Sequence, residues 1–154
     1  MAEAEKRYAV ITGASKGIGK SIAKSLAKRG YHLLLIARSE DELTQLAQEI
    51  SLQYQVEVNT FPIDLALSDS ANVVVDWINQ HEYKVNILIN NAGYGLWGSF
   101  ANLNLEEQLQ MCRLNMDTVV QLCHLLLPLL LREKQSYILN VASTAAYQAV
   151  PTLA

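Results

Sequence analysis

A chain of 154 residues, 51% hydrophobic and 18% charged, has the length and apolar content of one domain with a buried core. A formal net charge of −3 offers no basic surface of the kind that nucleic acid or anionic lipid selects, so neither partner is expected. The longest apolar run, residues 122–131 (LCHLLLPLLL), falls well short of the ~20 residues of a bilayer span. The polar start MAEAEKR lacks signal-peptide character, so no membrane span and a cytoplasmic location are expected.

Taken in chain order, residues 7–12 (RYAVIT) read as a short buried strand entering a glycine turn. From Ile18 a helix follows, with Ile22 and Leu26 on its apolar face, Ala23 and Ala27 beside them, and Gly30 as its stop. Lys20, Lys24 and Lys28 recur every fourth residue on another side and read as a solvated face. Residues 31–37 (YHLLLIA) form a continuous apolar run, as in a strand covered on both sides. Leu43, Leu46, Ala47 and Ile50 mark a second helix, residues 56–61 a third strand and residues 68–81 a third helix. Residues 84–90 (KVNILIN) give a fourth strand. Residues 105–131 give a long helix with apolar positions at Leu105, Leu109, Cys112, Met116, Val119, Cys123 and Leu126. Residues 136–142 (SYILNVA) give a fifth strand. Five strands alternating with helices specify parallel pairing and right-handed crossovers. The expected fold is α/β, a Rossmann-type doubly wound parallel sheet in three layers, with residues 1–154 forming one domain. Cys112 and Cys123 have no C-x-x-C spacing and read as buried apolar side chains; with no cluster among His32, His81 and His124, no metal site is expected.

The chemistry lies in residues 12–21, TGASKGIGKS, which fit two loops. As Ala14-x-x-x-x-Gly19-Lys20-Ser21 they approximate the phosphate loop of nucleotide hydrolases. That site also needs an apolar strand ending in Asp to hold magnesium. The strands here end in Arg38 and Asn90, Val141 is followed by Ala-Ser, and only Asp64 follows a strand-like run, past Pro62. As Thr12-Gly13-x-x-x-Gly17-x-Gly19 the same residues form a dinucleotide-binding turn, with backbone N–H groups and a helix N-terminus aimed at a pyrophosphate. The residue that separates NAD from NADP stands ~20 positions later, at the end of the second strand. Here it is Arg38, whose guanidinium fork suits a 2′-phosphate, and Lys16 adds a second positive charge. NADP(H) is therefore expected over NAD(H).

TGASKGIG, then Asn90-Asn91-Ala92-Gly93 after the fourth strand, Asn115 in the following helix and Ser143 at the close of the fifth strand occur in one order. In that order they resemble the short-chain dehydrogenase/reductases, in particular broad reductases of ketones and 3-oxoacyl compounds. The resemblance implies that Gly13, Ser15, Lys16, Gly17, Ile18 and Gly19 hold the pyrophosphate end of the cofactor, and that Asp64 and Leu65 lie at the adenine. It implies that Asn91, Ala92 and Gly93 lie along the nicotinamide ribose, with Asn90 bracing the sheet behind them. Ser143 and Asn115 are the implied catalytic residues: Ser143 on the substrate carbonyl, Asn115 holding a relay water through a local distortion of its helix. The family's general acid, a tyrosine, and its lysine stand thirteen and seventeen residues after Ser143, at positions 156 and 160, beyond Ala154; Tyr147 does not fit that spacing.

The chain is therefore expected to be part of a longer dehydrogenase, a homo-oligomer acting on a small carbonyl or alcohol, and nearly inactive as 154 residues. Without a further helix and two further strands, residues 136–142 are expected to form an exposed apolar edge. The alternatives are a non-catalytic NADP(H)-binding sensor or scaffold and, against the missing metal half, a nucleotide hydrolase. Tyr94, Leu96, Trp97 and Phe100 suit either an apolar substrate pocket or packing.

Overall fold

Continuous apolar runs can only be strands if both faces of their sheet are covered, and the computed structural model, which describes residues 6–153, arranges them so. The acidic start, residues 1–5, and Ala154 lie outside the described residues. The elements are β1 Tyr8–Thr12, α1 Gly17–Ala27, β2 His32–Ala37, α2 Glu40–Tyr54, β3 Val58–Pro62, α3 Ser70–Gln80, β4 Val85–Asn90, α4 Leu105–Cys112, α5 Thr118–Leu130 and β5 Tyr137–Asn140. The strands form one parallel sheet in the order β3-β2-β1-β4-β5.

Alternation along the strands divides the core between two faces. On one, Ile11, Leu33, Leu35 and Ile89 pack with Ala23 and Leu26 of α1 and Leu43, Leu46 and Ile50 of α2. On the other, Val10, Leu34, Ile36 and Leu88 pack with Val74 and Ile78 of α3 and Leu122 and Leu126 of α5. This is the expected three-layer arrangement. The chain reverses its direction of winding at β1, between β2 and β4, and the carboxyl ends of those strands open onto a crevice.

Several expectations need correction. Lys20 and Lys24 are not simply solvated: both pair with Glu49 of α2, Lys20 at 3.3 Å, and tie the two helices of one layer together. The Lys24 hydrogen bond, then that of Lys20, holds the Glu49 carboxyl below its ordinary range. The long helix is not uniform, because a π-helical turn at Arg113–Asp117 separates α4 from α5. Its buried face is Thr118, Leu122, Leu126 and Leu130, whereas Leu105, Leu109 and Met116 are exposed. Cys112 and Cys123 are free and half-buried rather than buried, and Cys123 Sγ accepts a hydrogen bond from Asn90 Nδ2. β5 is the expected apolar edge, with Tyr137, Ile138 and Leu139 at 51%, 41% and 47% exposure. Among the described residues no helix is long and apolar enough to cross a membrane.

Candidate functional site

The crevice is held together by two side chains, Thr12 and Asn91, bonded to main chain. Thr12, buried at the end of β1, donates from Oγ1 to Ile89 O at 3.3 Å and accepts the N–H groups of Asn91 and Ala92, each at 3.0 Å. Asn91 Nδ2 donates in return to Thr12 O at 3.0 Å and Gly13 O at 3.1 Å. The two loops leaving β1 and β4 are thus laced together by four hydrogen bonds that cross between them. Only glycines fit the seam. Gly13 has φ +62°, and a Cβ at Gly19 would stand 2.3 Å from Gly13 O.

Around this seam lies a cavity of about 490 Å³ that brings together Gly13, Ser15, Lys16, Ile18, Arg38, Asp64, Leu65, Asn91, Ala92 and Gly93. Ten of the twelve residues expected at the cofactor therefore share one cleft. Gly17 and Gly19 are not on its wall: Gly17 opens α1, and Gly19 is buried against the β1 loop. Lys16 is the N-cap residue of α1, whose first-turn N–H groups have no intrahelical partner. Lys20 and Ser21, which completed the hydrolase pattern, are engaged elsewhere: Lys20 with Glu49, and Ser21 Oγ with Gly17 O at 3.1 Å.

Asp64 Oδ1 accepts the N–H of Ala66 at 2.9 Å, a turn made by the side chain itself. Leu65 is fixed behind it, its carbonyl accepting Thr118 Oγ1 at 2.7 Å and Ser70 Oγ at 3.0 Å. Ser39, Glu42, Ile63 and Leu114, for which the sequence motifs give no site reading, also line the cleft, as does Tyr94, a candidate for the substrate pocket. Ser39 had a signal: it follows Arg38 at the N-cap of α2, where its side chain makes no capping bond. Thr12 had one as well, since it immediately precedes Gly13.

A second cavity, about 650 Å³, continues from the first through Ile18 and residues 91–94 and holds Asn115 and Ser143. Ser143 Oγ accepts the Ala145 N–H at 3.1 Å, opening a short 3-10 turn, Thr144–Ala146. Asn115 sits in the π turn, the local helix distortion that the resemblance implies. Its carboxamide is committed to one residue: Oδ1 accepts from Tyr94 N at 3.1 Å and Nδ2 donates to Tyr94 O at 2.8 Å. A Cβ on Gly93 would lie 2.9 Å from Asn115 Oδ1, so the clamp also requires glycine there. Asn90 is buried and braces β4, donating from Nδ2 to Asn140 Oδ1 at 2.8 Å. Of the four candidate pocket residues, Tyr94 and Trp97 line this cavity and Leu96 and Phe100 do not. Tyr147 lines neither cavity.

A larger cavity of about 930 Å³ lies at the opposite end of the sheet, among Arg7, Lys84, Val85 and Asn86, and contains none of the expected site residues. The chemistry is placed by the converging residues rather than by volume. His32 and His81 are structural: His32 Nδ1 accepts from Glu57 N, and His81 Nδ1 lies 2.9 Å from Trp77 O. Among the described residues no three His, Cys, Asp or Glu side chains converge on a point.

Known proteins resemble this chain in sequence and in fold. The chain is 30% identical over 152 residues to an uncharacterized oxidoreductase of Staphylococcus epidermidis, covering 99% of itself and 64% of that protein. It is 35% identical over 150 residues to a very-long-chain 3-oxoacyl-CoA reductase of Macaca fascicularis, covering 95% of itself and 47% of that protein. The L-sorbose reductase of Gluconobacter frateurii, solved with NADPH and L-sorbose, superposes with a TM-score of 0.89 at 30% identity over 96% of this chain and 56% of its own. The chain thus spans between about half and two thirds of the length of these relatives. The family model described as short chain dehydrogenase matches residues 7–154, and the chain belongs to that family.

Proposed function

We propose that the protein is an NADP(H)-dependent oxidoreductase that moves hydride between the nicotinamide and a carbonyl or secondary alcohol. The observation that carries this reading is the continuity of the cleft lined by Lys16 and Arg38 with the cavity holding Asn115 and Ser143. The residues present fit such a cofactor. The seam around Gly13 and Gly19 leaves main chain, not side chains, at the α1 N-terminus, and Ala92 and Gly93 keep the floor beyond it bare. Arg38 and Lys16 would grip the 2′-phosphate, with Ser39 Oγ within the same wall. The NADPH-bound relative supports this assignment.

Bound NADPH would supply the hydride. Ser143 Oγ already accepts from Ala145 N, so its own hydrogen is available to the substrate oxygen, where it would stabilise developing negative charge. Asn115, by clamping Tyr94, would hold residues 93–94 at the place where the two cavities meet. The proton would come from the tyrosine that the resemblance places thirteen residues after Ser143, beside a lysine four further on. A homo-oligomer belongs to the same reading, supported by exposed Leu105 and Leu109 on α4 and Met116 in the π turn that follows. The test is NADPH oxidation with a panel of ketones and 3-oxoacyl esters, using protein that extends through positions 156 and 160. Turnover that falls about 10²–10³-fold in Ser143→Ala is expected. Absence of NADPH-dependent carbonyl reduction across the panel would overturn the reading.

A further inference from the structure

The cavity containing Ser143 is lined by the polar residues Asn115 and Ser143 together with Tyr94, Trp97 and Leu153. The two tryptophans of the chain are used differently. Trp77 is half-buried, stacked on Phe61 with ring centres 4.8 Å apart and met by His81 and Tyr83 at its edges. Trp97 is 67% exposed, and among the described residues its ring touches no other aromatic ring and its indole N–H meets no acceptor.

Its backbone, in contrast, is fixed. Trp97 forms an antiparallel bridge with Leu153, and Gly98 N donates to Thr152 O at 2.8 Å. The segment leaving β4 is thereby tied to the segment that follows Ser143, and Trp97, on this held main chain, lines the cavity. A large ring held in position yet left uncovered is a surface for another apolar group. The place of that group follows from the shared cavity: Trp97 lines the same space as Ser143, which would receive a carbonyl oxygen there.

We propose that Trp97 is the specificity-determining wall of this site, and that the substrate is a carbonyl compound whose bulky, ring-sized apolar substituent lies on the indole. This rests on the reading of the Ser143 cavity as the reaction end. Tyr94 would close the side next to Asn115, its backbone already clamped by that residue.

The experiment measures binding of 2-acetylnaphthalene and of acetone to the NADPH-saturated protein by calorimetry, for the native chain, Trp97→Ala, Trp97→Phe and the control Trp77→Phe. The naphthyl ketone is expected to bind at least about tenfold more tightly than acetone. Trp97→Ala should abolish that preference with NADPH affinity unchanged, and Trp97→Phe should restore most of it. A naphthyl ketone that binds no better than acetone, or is indifferent to Trp97→Ala, overturns the inference while leaving the functional reading intact. Unchanged ketone affinity with a dimer lost on Trp97→Ala in sedimentation overturns it in favour of a second copy covering the ring. Absence of NADPH binding overturns the functional reading first.

Discussion

Replacing Gly19 with alanine puts a methyl group where two pieces of backbone already meet. The added carbon would lie 2.3 Å from Gly13 O, 2.6 Å from Asn91 Nδ2 and 2.9 Å from Gly13 C. Carbon makes comfortable contact at about 3.5 Å, so α1 has to retreat by on the order of 1 Å. Neither neighbour yields easily, because Gly13 O accepts Asn91 Nδ2 and Asn91 is bonded in turn to Thr12 O. Overpacking of this kind costs about 1–3 kcal/mol, and the helical preference of Ala over Gly returns about 1 kcal/mol. A net loss on the order of 1–2 kcal/mol corresponds to a fall in Tm of roughly 2–8 °C for a domain of this size. The same retreat moves the helix end away from the phosphate position, and at least a tenfold loss of NADPH affinity is expected, on the order of what such misplacement costs. Gly17→Ala is the internal control: no atom lies within 4 Å of its added carbon, and only the strain of φ +57° remains, about 1–2 kcal/mol. Thermal unfolding by circular dichroism and NADPH fluorescence titration on both variants decide the matter. A Gly19→Ala protein with native Tm and native affinity would refute the reasoning.

Thr12→Val keeps the shape of a buried residue but strips the acceptor from the N–H groups of Asn91 and Ala92. Urea denaturation should show a loss of about 2–4 kcal/mol, largely restored in Thr12→Ser. Arg38→Glu should lower NADPH affinity by about 10–100-fold and leave NADH affinity equal or higher, measured by calorimetry. Glu57 provides a pH signature, because its carboxyl is held down to about 2 by the hydrogen bond from Lys6 and then that from Asn59. A depressed carboxylate stabilises the fold above its ordinary value of 4.5 and loses that contribution as pH falls toward 2. Tm against pH should therefore be flatter in Glu57→Gln over that window than in the native chain.

The sheet was legible because β1, β2 and β4 are covered on both sides, and their unbroken apolar runs have no other stable use. The cleft that brings ten of the expected residues together was legible for a related reason. Gly13 and Gly19 answer to backbone contacts within a few ångströms, and Gly93 to the Asn115 side chain; such close contacts leave a fixed spacing in the sequence. Residues supplied from elsewhere in the fold left less trace. Leu114 enters the cleft only because the π turn at Arg113–Asp117 rotates the helix, and periodicity cannot register a turn of that kind. The stripe at Leu105, Leu109 and Met116 has the spacing of a buried face, but α4 has little beyond its own π turn to pack on and the stripe stays exposed. Lys20 and Lys24 read as solvated because Glu49, their partner, lies in the next helix.

We propose that the cleft between the β1, β2 and β4 loops, lined by Arg38 and Lys16, holds NADP(H) through these two residues. The most direct test is a calorimetric titration of the native chain with NADPH, NADH and MgATP under one buffer. The account predicts binding of NADPH, binding of NADH weaker by at least about tenfold, and no measurable heat with MgATP. Equal or tighter binding of NADH would contradict the role of Arg38, and saturable binding of MgATP in place of NADPH would contradict the site itself.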